Sequence, residues 1–153
     1  MKIKPFPAPA YNWDSQLLEA MSREKKLIKI EPIHSSFVVL GRVTPHEPDI
    51  LMDHCRQDNV PIYRRKGGGG AVLLFPGVAV ITAAFKKERR EELVEIEVFL
   101  NGIVAKIQSG ILKTMDIPLN IKGMGDLCIE NKKILGSSVY STRDFISYYG
   151  IKK

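Results

Sequence analysis

The sequence has little cysteine and no cysteine motif. Its 153 residues include two cysteines, Cys55 and Cys128, and no Cys-x-x-Cys pair. Two thiols so far apart in sequence argue against a disulfide framework and are typical of a reducing compartment. The histidines at positions 34, 46 and 54 show no ligand spacing with one another or with cysteine, which argues against a zinc site. We therefore expect a cytoplasmic protein with free thiols.

The sequence also lacks a long uninterrupted apolar run. The longest such run, residues 71–85, is broken by Pro76-Gly77 and is too short to cross a bilayer. Residues 1–13 contain prolines and no extended apolar segment, so no signal peptide is predicted. No repeat, low-complexity segment or linker divides the chain, whose length suits one domain. We expect a single domain, residues 1–153, with no membrane partner.

The charge balance is basic, with a formal net charge of +6. The cations are scattered over four short clusters (23–26, 64–66, 86–90 and 132–133) instead of being gathered with aromatic residues along one element. This scatter argues against a nucleic-acid partner. We interpret the excess as a solvated basic surface, with attraction to an acidic protein substrate as the functional alternative.

The most informative motif is a run of four glycines, residues 67–70, which follows three cations and precedes an apolar strand. Glycines let backbone N–H groups approach a ligand closely, and with neighbouring cations they predict a site for phosphate or carboxylate. No Gly-Lys-Ser/Thr follows, and Val72 stands where a Gly-x-Gly-x-x-Gly fingerprint needs its third glycine, so neither common phosphate loop fits. A flexible surface loop is the alternative, but ordering four glycines costs too much conformational entropy for a purely structural role.

Three motifs in this order resemble a known family. Residues 64–72, 123–127 and 133–137 are similar to the Arg-Arg-x-x-Gly-Gly-Gly-Ala-Val, Gly-x-x-Asp and Lys-Ile-x-Gly-Ser motifs of lipoate–protein ligase catalytic domains. That family belongs to the biotin/lipoate ligase and octanoyltransferase superfamily. Residues 38–42, Val-Val-Leu-Gly-Arg, also resemble a strand end of the family. The resemblance extends in order over residues 12–150.

The apolar pattern predicts an α+β domain in which a mixed, largely antiparallel sheet packs with helices. The resemblance implies the same architecture, a biotin/lipoate ligase-like (class II synthetase-like) domain. Helices are predicted at 15–25, with Leu17, Leu18 and Met21 on one face, at 48–58, and from 88 to about 115. The apolar stripe of the long helix comprises Leu93, Ile96, Leu100, Ile103, Ile107 and Ile111, and Glu88, Glu91 and Glu92 complement its N-terminus. Strands are predicted at 27–33, 37–42, 62–66, 72–75, 78–85, 119–121, 127–130 and 133–139, with 72–75 and 78–85 forming a hairpin at Pro76-Gly77.

The resemblance assigns roles to individual residues. Lysine is a compact cation suited to bridging a carboxylate and a phosphate as they react. By resemblance Lys133 does this as the catalytic side chain, whereas Lys132 is expected to be solvated. Asp126 is expected to orient magnesium or the adenylate. The predicted substrate- and ATP-binding residues are Arg65, Gly68, Gly69, Gly70, Ala71, Val72, Leu73, Asp126, Gly136 and Ser137.

The activity that the resemblance implies is ATP-dependent activation of lipoate, or a related medium-chain acid, as an acyl-adenylate. Transfer to a lysine of an acyl-carrier (lipoyl) domain or a glycine-cleavage H-type protein would follow, with ATP and Mg²⁺ as cofactors. The strands around Val39 and Val72 would offer an apolar slot for the acyl chain.

Two other functions stay open. Octanoyltransferases of the superfamily use a cysteine nucleophile placed after the lysine motif. By this resemblance, octanoyl or lipoyl transfer through a cysteine is disfavoured, because no cysteine follows Ser138. A non-catalytic ligand-binding relative is favoured by two departures from the family pattern: Leu74-Phe75 replaces a polar His-Asp pair, and Gly125 replaces an asparagine.

The chain ends three residues after Tyr149-Gly150. By resemblance to longer relatives we expect a catalytic domain without the accessory C-terminal domain and without the further core strand that follows Tyr149-Gly150 in those relatives. A missing strand would leave an open sheet edge or a gap beside the acyl slot. We therefore expect an accessory-domain polypeptide, or a second copy of the chain, to complete the site.

Overall fold

The computed structural model describes residues 7–43, 50–88 and 95–152. These ranges contain three helices and nine strands, and the combination confirms the predicted α+β class. The helices are α1 (Asn12–Arg23), α2 (Met52–Gln57) and α3 (Ile96–Leu112). The strands are β1 (Lys26–Pro32), β2 (Phe37–Leu40), β3 (Ile62–Arg64), β4 (Val72–Leu74), β5 (Ala79–Lys86), β6 (Asn120–Lys122), β7 (Asp126–Ile129), β8 (Lys132–Ser141) and β9 (Phe145–Lys152).

The strands form two sheets. The larger has six strands in the order β1-β5-β9-β8-β7-β6, and all its pairings are antiparallel. The smaller has the order β3-β2-β4, in which β2 pairs with β3 in parallel and with β4 antiparallel. This confirms the mixed, largely antiparallel arrangement.

Both faces of the larger sheet are covered, and β9 contributes to both cores. Tyr148 belongs to a cluster with Val104 of α3, and the next residue, Tyr149, belongs to a cluster with Leu17 and Met21 of α1. Successive strand residues point to opposite faces, so α3 packs on one side of the sheet and α1 on the other. A strand buried on both faces shows no alternation of apolar and polar residues, which is why β9 is not among the predicted strands.

β9 lies in the interior of the larger sheet. Gly150 pairs with Ile81 of β5 on one side and with Ser137 of β8 on the other. The edges of this sheet, within the described ranges, are β1 and β6. β9 therefore presents no open edge at Tyr149-Gly150.

The smaller sheet packs over one end of the larger one through a third cluster. Val39 of β2 and Leu74 of β4 are buried there with Val78 and Val80, which lead into and along β5. The predicted hairpin of 72–75 and 78–85 is wrong, because β4 pairs with β2 whereas β5 pairs with β1 and β9. Burying apolar side chains in two sheets separates the two strands, and the chain crosses between the sheets at Gly77, whose φ is +99°.

The helices differ from prediction at their ends. In α1, Leu17 and Met21 are buried, but Leu18 is 36% exposed and lies off the apolar face. α3 begins at Ile96, which is 44% exposed; Leu100 is buried behind it, and Ile103, Ile107 and Ile111 pack partly against the core. Glu88 precedes α3 and does not lie in its first turn, while the predicted Glu91, Glu92 and Leu93 lie outside the described residues.

Two further predictions can be compared with the fold. Both cysteines are free, as predicted, and Cys128 is buried. Among the helices that the structure describes, none has the length and apolarity needed to span a bilayer.

Candidate active site

A cavity of about 600 Å³ lies where the two sheets meet. The end of β2, β4, the glycine run, β8, β9 and the start of α1 all contribute to its wall. The lining residues are Tyr11, Trp13, Asp14, Val39, Arg65, Gly69, Gly70, Ala71, Val72, Leu73, Leu74, Phe75, Lys133, Ile134, Leu135, Gly136, Ser137, Ser138, Tyr149 and Ile151.

Lys133 reaches this cavity because of a bulge in β8. Leu127 pairs with Leu135 while the next residue of β7, Cys128, pairs with Lys133, so one step on β7 faces two on β8. The extra residue changes which face Lys133 occupies. Its Nζ lies 2.8 Å from Oδ1 of Asp126, and the lysine side chain is 55% exposed. A partly exposed ion pair of this kind contributes little to stability. Its main effect is to hold the Lys133 ammonium group in place.

Gly136 gives the Lys133 side chain its space. A Cβ at position 136 would lie 2.8 Å from Lys133 Cε and 3.2 Å from its Nζ. The lysine therefore extends along the strand over the glycine, which explains the spacing of the Lys-Ile-Leu-Gly motif. Lys132 does not line the cavity, and the two adjacent lysines are thus in different surroundings.

The glycine loop, residues 67–70, is fixed by Arg65. The guanidinium donates hydrogen bonds to the carbonyl oxygens of Gly68 (2.7 and 3.2 Å), Gly70 (3.0 Å) and Val39 (3.2 Å). Burial lowers the pKa of Arg65, and the nearby Asp14 opposes that change. Arg65 lines the cavity as predicted, but most of its donors hold the loop.

Other groups complete the attachment of the loop. The Ser138 hydroxyl donates to the Gly68 carbonyl at 3.0 Å, and the N–H of Arg42 donates to the Gly67 carbonyl at 2.9 Å. Within the described residues, the N–H groups of Gly68 and Gly70 donate to no protein acceptor. The carbonyl groups of Gly67, Gly68 and Gly70 thus bond to the protein, and the N–H groups of Gly68 and Gly70 are available to a ligand, as in an anion site.

Asp14 and Tyr149 belong to the site although no motif indicated them. Asp14 is 3% exposed; its Oδ2 accepts a 2.8 Å hydrogen bond from the N–H of Lys66, and its Oδ1 accepts one of 3.1 Å from the Tyr149 hydroxyl. Burial raises the pKa of the Asp14 carboxyl, and these two hydrogen bonds oppose the rise. Burial and the neighbouring carboxylate raise the pKa of Tyr149, which therefore keeps its proton.

A second network supports the turn before Asp126. The Ser137 hydroxyl donates to the Gly125 carbonyl and lies 3.0 Å from the Tyr148 hydroxyl, whose pKa burial raises to about 12. Gly125 has φ +79°, and a Cβ there would lie 3.2 Å from Cβ of Leu100 and from Oγ of Ser137. The departure from asparagine at this position therefore suits the packing of α3 in this protein.

The other side of the cavity is apolar and aromatic. Val39 and Val72, predicted to form an acyl slot, both line it. Leu74 and Phe75 also line it; Leu74 is buried, whereas Phe75 is 38% exposed. Aromatic rings continue this wall: Tyr11 and Trp13 lie 4.4 Å apart between ring centroids, and Trp13 stacks on Tyr149 at 6.3 Å.

Most predicted site residues come together here, and two do not line the cavity. Asp126 contacts it through Lys133, and the Gly68 carbonyl is held by Arg65 and Ser138. The residues of the predicted set that line it are Lys133, Arg65, Gly69, Gly70, Ala71, Val72, Leu73, Gly136 and Ser137. The lining residues outside the predicted site and slot include Tyr11, Trp13, Asp14, Ser138, Tyr149 and Ile151. Asp14, near the predicted start of a helix, suggests only a favourable charge at the helix N-terminus. Tyr149 could not be assigned to the site from the sequence, because its position depends on the pairing of β9.

A sequence model described as the lipoyl protein ligase A/B catalytic domain matches residues 7–151, nearly the whole chain. The chain belongs to this family. The glycine run, Asp126 and the lysine motif all lie within the matched residues; the glycine run and the lysine motif line one cavity, and Asp126 is paired with Lys133 beside it.

Comparisons with individual proteins agree with this assignment. A Mycoplasma pneumoniae protein named "Probable lipoate-protein ligase A" is 26% identical over 117 residues, 76% of this chain and 33% of that protein. A crystal structure of lipoate-protein ligase A bound with ATP superposes with a TM-score of 0.73 at 17% identity, over 92% of this chain and 59% of that one. A bi-partite lipoate protein ligase of Thermoplasma acidophilum, described with its E2 lipoyl domain, gives 0.76 at 15% identity, over 97% and 59%. The chain thus spans about a third of the length of the curated relative.

Proposed function

We propose that this lipoyl ligase A/B-family domain activates lipoate with ATP and passes the acyl group to a lysine of a lipoyl domain. In the first step an oxygen of the lipoate carboxylate forms a bond to the α-phosphorus of ATP, and the bond to the departing pyrophosphate breaks. In the second step the acceptor amine attacks the acyl carbon, loses a proton and releases AMP. Family membership and the cavity support this proposal.

The observation that carries the proposal is the placement of Lys133 at the cavity, paired with Asp126 and resting over Gly136. Forming an adenylate brings together two anions, a carboxylate and a phosphate, that repel each other. A cation held in place before the reaction lowers that repulsion without reorganising solvent. We assign this neutralising role to Lys133, and Asp126 holds its ammonium group until substrates bind.

The glycine loop supplies the complementary part of an anion site. The N–H groups of Gly68 and Gly70 are without a protein acceptor in the described ranges, and Gly69 adopts φ +92° between them. We assign to this loop the binding of the ATP phosphates. Arg65 acts mainly by keeping the loop carbonyls turned away from the ligand.

The apolar wall suits an acyl chain. Val39, Val72, Leu73 and Phe75 present hydrocarbon to a cavity of about 600 Å³, a size in the range of small-molecule sites. The replacement of a polar pair by Leu74-Phe75 makes this wall more apolar, which supports an acid with a hydrocarbon chain as the ligand. Lipoate has that character, and the relatives are named for it.

Magnesium would come to this site with ATP. The described residues contain no group of three or more histidine, cysteine or acidic side chains that could hold a metal ion. Mg²⁺ is commonly held by one or two carboxylates together with substrate phosphates and water, and the Asp126 carboxylate fits that role. The bound ion would add positive charge to the phosphates.

The acceptor and any accessory polypeptide are proposed from the relatives. The Thermoplasma acidophilum ligase is described as bi-partite and with its E2 lipoyl domain. By analogy we propose a lipoyl domain as acceptor, with an H-type protein as a second candidate, and a further polypeptide that assists acyl transfer. A cytoplasmic location stays a prediction.

Acyl transfer through a cysteine is less well supported. Neither of the two cysteines of the chain lines the cavity: Cys55 lies on α2, and Cys128 is buried in β7. A nucleophilic thiol has to reach the acyl carbon, and a buried one without access cannot do so.

Calorimetric titration of the purified chain with ATP, with lipoate and with both tests the proposal. We expect saturable binding of each ligand and tighter binding of lipoate in the presence of Mg-ATP. Binding of neither ligand would contradict it. Octanoate and decanoate in place of lipoate would show which acid the apolar wall prefers.

A further inference from the structure

The glycine loop (residues 67–70) is anchored at its start by a carboxylate that the proposed chemistry does not use. Asp14 lies in the first turn of α1 and lines the cavity. It accepts a hydrogen bond from the N–H of Lys66, the residue directly before the loop, at 2.8 Å. Its other oxygen accepts a hydrogen bond from Tyr149 of β9 at 3.1 Å. One buried carboxylate therefore connects a helix, the loop and the central strand.

Packing alone does not account for a carboxylate at this position. Asp14 is 3% exposed, and burying an acidic group is unfavourable unless hydrogen bonds compensate. Both of its oxygens are used, and both partners belong to the cavity region: the peptide that begins the loop and a side chain of the wall. Hydrogen bonds to an ionised acceptor are shorter and stronger than neutral ones, so they fix geometry well.

Asp14 and Arg65 act on the loop in opposite senses. Arg65 donates to the carbonyls of Gly68 and Gly70, whereas Asp14 accepts from the N–H of Lys66. Together they orient three peptide groups, one before the loop and two within and after it, in a segment whose glycines impose little preference of their own. We propose that Asp14, held by Tyr149, is a positioning residue that presets the glycine loop for its anionic ligand. The inference rests on the proposed function only for the identity of that ligand.

Amide hydrogen exchange followed by NMR on the ligand-free chain tests the inference without any assay of activity. We expect Asp14→Ala to raise exchange about tenfold at the amides of Lys66 and of Arg42, which donates to the Gly67 carbonyl at 2.9 Å, while amides of β5 and β9 stay protected. Asp14→Asn should restore protection to within about threefold, because its amide oxygen can accept from Lys66 and its NH₂ can donate to Tyr149. Unchanged exchange in Asp14→Ala, equal loss of protection throughout the sheet, or an asparagine variant as exposed as the alanine one would overturn the inference.

Two further variants keep the test decisive. Tyr149→Phe keeps the ring and removes only the hydroxyl, and we expect a smaller rise in exchange confined to the same amides; no rise there would also contradict the inference. Ser15→Ala is the matched control, since its hydroxyl bonds the Asn12 carbonyl in the same helical turn and does not contact the loop. ATP titration of the same proteins should show weaker binding for Asp14→Ala alone. If the wild-type chain binds no ATP, the proposed function fails while the exchange result still decides the role of Asp14.

Discussion

Lys133 and Gly136 show how single residues place the charge at this cavity. The bulge in β8 turns Lys133 to the cavity side, and the missing Cβ of Gly136 lets the ammonium group reach Asp126. The sequence motif predicted both residues as site residues, and the structure gives a steric reason for their spacing. Any side chain at position 136 has to share space with the lysine.

Gly136→Ala should therefore impair activation of the acid without unfolding the protein. The new Cβ would lie 2.8 Å from Lys133 Cε, so the flexible lysine must move, and a displacement of about 1 Å can cost about 100-fold in rate. Acid-dependent exchange of pyrophosphate into ATP measures the rate, and thermal unfolding measures stability. Gly102→Ala, an exposed glycine with no atom near its Cβ position, is the control. Equal rates for wild type and Gly136→Ala would refute this explanation of the motif.

The raised pKa of Asp14 predicts how its contribution to stability depends on pH. A carboxyl whose folded pKa lies above its unfolded value near 3.8 holds its proton more tightly in the folded state. The free energy of unfolding of the wild type should then fall, relative to Asp14→Asn, as pH rises from about 3.8 through the raised folded pKa. Above that pKa the difference should stay constant. Denaturant unfolding of both proteins at pH values from about 3 to about 7 measures it, and a difference that grows with pH would contradict the burial argument.

At the scale of elements, the glycine loop and the crossover between β4 and β5 offer a matched comparison. Gly69 has φ +92° and lines the cavity, whereas Gly77 has φ +99° and does not. The backbone strain of valine is similar at the two positions, because β-branched residues rarely adopt positive φ. At position 69 a Cβ would in addition lie 2.9 Å from Nη2 of Arg65. We expect both Gly69→Val and Gly77→Val to lower thermal stability, but only Gly69→Val to abolish ATP binding in calorimetry. Retained ATP affinity in Gly69→Val would mean that the loop does not meet the nucleotide.

α3 contains two glycines that the packing does not need. Gly102 and Gly110 are exposed, and a Cβ at either position would meet no atom within 4 Å. Alanine in a helix interior is more favourable than glycine by about 1 kcal/mol. Each of Gly102→Ala and Gly110→Ala should raise Tm by about 2–4 °C. A lower Tm in either variant would show that the exposed face of α3 has a partner in the folded chain.

The elements could be predicted from the sequence better than their pairing. Local alternation and turn residues located β1, β2, β3 and β5 to within a few residues, because these signals lie in adjacent positions. Pairing depends on which apolar surfaces meet, and the sequence of β4 and β5 does not contain that information, so the predicted hairpin was wrong. β9 escaped prediction because α1 and α3 cover both of its faces.

At the scale of the whole molecule, the sheet brings together parts of the site that are far apart in sequence. Asp14 and Tyr149 are separated by 135 positions, yet they share a hydrogen bond beside the glycine loop. The glycine run and the lysine motif could be predicted because each is a local pattern with a chemical meaning. The sequence did not predict three other site residues, Asp14, Trp13 and Tyr149. They come together only when α1 packs against the face of the sheet that contains β9.

The raised pKa values of the buried tyrosines predict how the whole domain responds to base. Burial raises the pKa of Tyr148 from 10.0 to about 12 and that of Tyr149 still further. The folded state then keeps protons that the unfolded chain loses, so stability should decrease as pH rises above about 10. Tyr148→Phe should lessen this decrease, although the loss of its contact with Ser137 lowers stability at neutral pH. Denaturant unfolding at pH values between about 8 and 11 provides the comparison, and an equally steep decrease in the variant would contradict it.

The central claim is that this cavity forms an acyl-adenylate with Lys133 as its essential cation. The most direct measurement is lipoate-dependent exchange of labelled pyrophosphate into ATP, made with the wild-type chain, Lys133→Ala and Lys132→Ala. Because only Lys133 lines the cavity, we predict exchange by the wild type and by Lys132→Ala within about threefold of each other, and a loss of at least about 100-fold in Lys133→Ala. Equal loss in both lysine variants, undiminished exchange in Lys133→Ala, or no lipoate-dependent exchange by the wild-type chain would contradict the claim.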